Sequence, residues 1–333
     1  MADVYLHIGL NKTGTSSIQD FFFLNIEAMA QEGICYPRAG LDGAAHHALS
    51  YWLGTPEPDR NFEQSPMVLA MRKEIAGASK VVISSEDLHT HGARGARILK
   101  RLFAGHQVKV VFYVREHLSY LASWYQQNVQ ASHLSCSFDT FCHLTRKPLH
   151  TLADAWTESM GRENMFLRLY DRKALTGGDV LLDFVRIVGV PGDLERFQRK
   201  RYENNPSVTG NLLFIKRLLN NLLDKATASN MVNETTELAK LKPEFLGAMQ
   251  VDAPLVAYVA GMYKGDRKVL LDRYGVEIPE RSGAMAGSLF PDFATLREDY
   301  DLILDTAAAR DYDIAKAMRM ITLGDLSYLN GKH

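Results

Sequence analysis

Residues 7–17 read His-Ile-Gly-Leu-Asn-Lys-Thr-Gly-Thr-Ser-Ser and follow directly on an alternating apolar stretch. No other feature constrains the fold as much. Residues 3–8 place Val4, Leu6 and Ile8 on one face and predict a strand. Gly9 and Gly14 let the backbone turn tightly and bring its N–H groups close to an anion. Thr15, Ser16 or Ser17 can cap the helix expected to follow, whose N-terminal dipole also favours negative charge. Strand, glycine loop and helix together predict a phosphate-gripping turn. In a Walker A loop the lysine follows the second glycine. Here Lys12 precedes Gly14, and Thr15 stands where that lysine would be. The loop is therefore expected to hold phosphate differently from an ATPase.

The pattern downstream predicts the class of fold. Short strands are expected at 34–36, 80–84, 108–114 and 164–169, and helices at about 15–32, 46–53, 117–131 and 180–188. Residues 55–66, with three prolines, read as a loop. The alternation predicts an α/β protein: a central parallel sheet flanked by helices, a P-loop NTPase-like three-layer sandwich. Beyond residue 204 strand signals fade, and 207–224, 254–275 and 296–320 show helical spacing. The expected division is an α/β core over 1–203 and a helical C-terminal region over 204–333, packed on the core and contributing to substrate binding.

Bulk properties exclude several classes. The 333 residues carry a formal net charge of −1, so a general nucleic-acid or anionic-membrane surface is not implied. No apolar run approaches the roughly 20 residues of a membrane helix, and no signal peptide precedes the first strand, so a cytoplasmic protein without membrane insertion is expected. Three cysteines, Cys35, Cys136 and Cys142, do not make a disulfide framework.

Ligands of open parallel sheets bind at the carboxyl ends of the strands. Arg115 ends the strongest predicted strand, and Ser123 lies eight residues on, on one helix face with Ser119. An arginine at a strand end with hydroxyls on the adjoining helix makes a second anion site, suited to a phosphate by the guanidinium fork. The Lys-Thr-Gly-Thr-Ser-Ser loop and the Arg-x7-Ser element together resemble the sulfotransferases that use 3′-phosphoadenosine-5′-phosphosulfate (PAPS), over residues 4 to about 190. The resemblance implies that Lys12, Thr13, Gly14, Thr15, Ser16 and Ser17 hold the 5′-phosphosulfate, and that Arg115 and Ser123 hold the 3′-phosphate. It implies PAPS as co-substrate, with no metal. Tyr170, in Leu-Arg-Leu-Tyr-Asp, matches a tyrosine placed near the adenine; simple packing at the strand end is the alternative. The Arg-Lys-Gly loop of the cytosolic members is missing, with Asn205 or Ser207 as possible substitutes. That departure points to bacterial or carbohydrate-type members rather than the cytosolic phenol and steroid type.

Sulfuryl transfer needs a cation at the leaving oxygen and a base for the acceptor proton. Lys12 is the candidate for the first. Glu86, which follows the third strand, and His46 or His47, which follow the second, are the candidates for the second. Histidine titrates near neutrality, whereas a glutamate base needs burial. His89 and His91 lack metal-ligand spacing. The expected activity is transfer of a sulfuryl group to a hydroxyl or amine of a small molecule or glycan. The alternatives are a nucleotide kinase or NTPase with an atypical loop, or a catalytically silent nucleotide-binding module.

Overall fold

Five parallel strands run through the molecule in the order β2–β3–β1–β4–β5: β1 (Asp3–His7), β2 (Ile34–Cys35), β3 (Lys80–Ser84), β4 (Gln107–Val114) and β5 (Met165–Leu169). The computed structural model describes residues 1–192, 194–200 and 207–321. The strands are rich in β-branched residues and buried along nearly their whole length, as a parallel sheet covered on both faces requires. In register, Val4 lies opposite Val81 of β3 and Val108 of β4.

Alternation sends Tyr5, Val82, Val111 and Tyr113 to one face. There they pack with Ile18, Phe21 and Phe22 of helix Thr15–Leu24 and with Phe184, Val185 and Val188 of helix Val180–Val188. The opposite face is covered by helix Leu149–Met160, which lies on β4 and β5 and packs against helix Gly92–Leu102. The result is an α/β fold in three layers. From β1 the chain runs to β2 and β3 on one side and then crosses to β4 on the other. The carboxyl end of β1 is thus a point where strand order reverses, the usual ligand position in such sheets.

The helix expected over 15–32 breaks at Asn25. Its amide donates to Phe21 O at 2.7 Å and to Gln198 O at 2.8 Å, while its carbonyl accepts from Gln198 N, so the side chain serves a distant segment. The loop expected over 55–66 contains two helical turns, Glu57–Arg60 and Phe62–Gln64. Pro58 fits the first turn because no intrahelical N–H is needed there.

The chain divides into two units: Met1–Glu116, Pro148–Glu203 and Lys264–Pro279 form one, and His117–Lys147, Asn204–Tyr263 and Glu280–His333 the other. This differs from a single cut near 204 in two segments, each with a packing reason. Helix His117–Ala131 buries Leu118, Leu121, Tyr125 and Val129 against Leu212, Ile215 and Leu219 of the helical unit. Residues 264–279 belong to the sheet unit, where Asp266 accepts bonds from Leu149 N and His150 N, both at 2.9 Å, and Tyr274 bonds Asp154 and Thr157. No helix among the described residues is long and apolar enough to cross a membrane.

Candidate functional site

The chain leaves β1 into a loop that closes at Gly14, and helix Thr15–Leu24 begins immediately after it. Backbone bonds fasten the loop to β4: Leu10 N donates to Tyr113 O at 3.2 Å, and Tyr113 N to Gly9 O at 3.0 Å. Two glycines are required by contact. Gly9, at φ 100°, leaves room for the Glu86 backbone, which would lie 2.8 Å from an added Cβ. Gly14, at φ 75°, would thrust a Cβ to 2.7 Å from Val180 and 3.2 Å from the Tyr170 ring. Thr13 is buried and folds back on the loop, its hydroxyl donating to Leu10 O at 2.5 Å. Gly14 itself is the N-cap residue, so Thr15, Ser16 and Ser17 make up the first turn instead of capping it.

Lys12 stands at φ 64°, a left-handed conformation rare for a residue with a side chain. Arg115, at the end of β4, donates from Nη1 to Lys12 O at 3.3 Å. Loss of water around Lys12, and then the nearby Arg115 charge, lower the lysine pKa from its ordinary value. Among the described residues Lys12 forms no ion pair. Two cations therefore meet beside a helix N-terminus, an arrangement that favours a bound anion. Tyr170 N donates to Val114 O at 2.7 Å, and its ring borders Gly14, which places the tyrosine against the loop.

A second group lies at the carboxyl ends of β2 and β3. His47 opens helix His47–Gly54. Its Nδ1 lies 3.1 Å from Asp87 Oδ2 and 3.0 Å from Ser85 Oγ, and its Nε2 lies 4.0 Å from Glu86 Oε1. Asp87 raises the His47 pKa, chiefly through its hydrogen bond, and His47 in turn lowers that of Asp87. With Nδ1–H donated to Asp87, Nε2 carries the lone pair, as a general base requires. Glu86 is half-buried and is held by Gln19, whose Nε2 donates to Oε2 at 2.6 Å.

His46 belongs to a different class and drops out of the set of bases. It is fully buried; its Nδ1 accepts from Ser84 N at 3.1 Å and its Nε2 donates to Pro37 O at 2.9 Å. Burial pushes its pKa down to about 4, and both nitrogens are engaged in tying the segment after β2 to β3. Ser123 lies buried on helix His117–Ala131 in the helical unit, one turn beyond Ser119, whose Oγ accepts from Arg281 at 3.1 Å. Residues 201–206, with Asn205, lie outside the described residues. His89 Nδ1 bonds Glu86 O and His91 Nε2 bonds Ser50 Oγ; among the described residues no group of three or more His, Cys, Asp or Glu is placed to hold a metal ion.

Sequence reasoning missed Asp87, Ser85 and Gln19 as parts of the site. Gln19 left a trace, a polar residue inside the apolar stripe of Ile18, Phe21 and Phe22. Asp87 and Ser85 lie in the strand-end segment 85–91 that the carboxyl-end rule singles out, but their own role was not legible, because it depends on helix His47–Gly54 arriving from elsewhere.

No family model matches the chain. It is similar to an uncharacterised protein of Archaeoglobus fulgidus, 23% identical over 171 residues, which cover 51% of this chain and 46% of that protein. The chain thus spans about half the length of the curated relative it matches.

Proposed function

We propose that the protein is a sulfotransferase that moves a sulfuryl group from PAPS to a hydroxyl or amine. The observation that carries the reading is the meeting of Lys12, which forms no ion pair among the described residues, and Arg115 at the β1 loop and helix N-terminus. The loop sequence, with its lysine before the second glycine, supports this donor over ATP. Transfer proceeds through a transition state in which charge grows on the leaving phosphate, so positioning and electrostatics dominate. Lys12 and the loop amides stabilise that charge. His47, oriented by Asp87, takes the acceptor proton at Nε2, and Glu86, fixed by Gln19, contacts the acceptor. Arg115 is the 3′-phosphate arginine by the same reading, and Tyr170 borders the loop at Gly14.

The test is turnover of PAPS with a mixed set of hydroxyl and amine acceptors, followed as bisphosphate release and label transfer. Wild type is expected to turn over, and Lys12→Ala to lose about 10²–10³-fold, the usual effect of removing a group aimed at developing charge. Consumption of ATP with phosphoryl transfer, and none of PAPS, would replace this reading with a kinase.

A further inference from the structure

A cavity of about 410 Å³ lies within the helical unit, and all of its lining residues belong to that unit. Its volume is that of a small-molecule site. Phe138, Met249, Val251, Leu255 and Phe290 give it apolar walls. Leu289 also lines it and is exposed, so the space reaches the surface. Two opposite charges, Arg217 and Asp139, line the same space. Among the described residues neither forms an ion pair, with the other or with any third group, which leaves them too far apart for direct contact. The other charged lining residue, Asp252, is engaged locally: its Oδ1 accepts from Leu255 N at 3.0 Å as the N-cap of helix Ala253–Met262.

Arg217 is fixed without any ligand. It extends from helix Gly210–Leu222, with its guanidinium carbon 4.8 Å from the centroid of the Phe214 ring and 5.3 Å from that of Phe290. It also hydrogen-bonds the Tyr125 hydroxyl, which itself donates to Cys136 O at 2.9 Å. Asp139 lies exposed in the first turn of helix Phe138–Leu144. An apolar-walled space with a cation and an anion held apart is complementary to a zwitterion on an apolar body. The guanidinium fork matches a carboxylate, the aspartate matches an ammonium, and the walls take a hydrocarbon or aromatic group. A simple acid would set like charge beside Asp139, and a simple amine would do the same beside Arg217.

We propose that this cavity binds a free α-amino acid with a large apolar or aromatic side chain, its carboxylate on Arg217 and its ammonium toward Asp139. The inference does not rest on the sulfuryl-transfer reading, because no residue of the β1 loop or of the strand ends lines the cavity.

Three compounds of one skeleton test it: phenylalanine, phenethylamine (no carboxylate) and 3-phenylpropionate (no ammonium). Each is titrated calorimetrically into the full-length protein. Phenylalanine is expected to bind roughly tenfold or more tightly than either of the others. Leucine and methionine are expected to bind within about tenfold of phenylalanine, and glycine not measurably. Arg217→Lys should weaken phenylalanine and phenylpropionate several-fold and spare phenethylamine. Asp139→Asn should weaken phenylalanine and phenethylamine several-fold and not phenylpropionate. A merely structural role would move all three compounds alike. Asp139 is exposed, so its replacement reads the site even should Arg217→Lys unfold. Absence of binding by phenylalanine, leucine and methionine alike, binding of phenylpropionate or phenethylamine as tight as that of phenylalanine, or phenylalanine binding indifferent to Asp139→Asn would overturn the proposal.

Discussion

In the proposed reaction His47 and Asp87 would divide the work of one base. The carboxylate holds Nδ1 and raises the pKa of the ring above its ordinary 6.5. If His47 is the proposed base, its Nε2 must be neutral, so the rate should rise with pH through that elevated pKa. Asp87→Asn should move this acid limb down toward 6.5 and lower the plateau about tenfold or more, since the ring is no longer oriented. A pH profile of turnover in both proteins checks it; an unmoved limb would mean that Asp87 does not act through His47. The stability effect of the same pair has two edges. The part due to His47 is full below its unfolded pKa and fades as pH rises through the folded one. The part due to Asp87 is present above its unfolded pKa and fades as pH falls through its lowered value. The two histidines adjacent in sequence, His46 and His47, show how little type alone says: one has both nitrogens tied inside the fold, the other has one left for chemistry.

The loop between β1 and helix Thr15–Leu24 was legible because its signals are local. Two glycines, a lysine and four hydroxyls lie within nine residues, and the left-handed conformations at Gly9, Lys12 and Gly14 follow from the turn they make. Gly14→Ala should cost about 1–3 kcal/mol, because the residue sits at φ 75° and its Cβ would press on Val180. Gly43→Ala, at φ 64° with nothing within 4 Å, should show the backbone cost alone, about 1–2 kcal/mol. Denaturant unfolding of the two variants separates contact from conformation, and only the first should also impair anion binding. The break in the helix expected over 15–32 has a cause that sequence does not carry. At Asn25 a tertiary bond to Gln198 decides where the helix stops, and periodicity carries no information about that partner.

The two units should respond to pH from opposite ends. In the sheet unit, burial drives His7 down to about 3 and His46 to about 4, so both stay neutral in the fold. The unfolded chain binds their protons near 6.5, and stability therefore falls as pH drops below that value, by about 1.4 kcal/mol per pH unit for each group. In the helical unit Lys216 is fully buried, bonded to Asn220 Oδ1 at 2.5 Å and to Val129 O at 3.4 Å, with its pKa pushed down to about 8. That unit should gain stability as pH rises from 8 toward 10.5, and Lys216→Met should abolish the gain. Calorimetry across pH 4–10 measures both slopes. The sheet and its strand assignments were readable from apolar runs. The division into units was not, because residues 117–147 and 264–279 exchange places through packing and the Asp266 bonds. The proposed donor is tested most directly by the unfolding midpoint with adenosine 3′,5′-bisphosphate, with adenosine 5′-monophosphate and with ATP, for wild type and Arg115→Ala. At about a hundredfold excess over Kd the bisphosphate should add roughly 2.7 kcal/mol to wild type and far less to the variant, with little effect of the monophosphate. Equal or stronger stabilisation by ATP, unchanged in Arg115→Ala, would contradict the account.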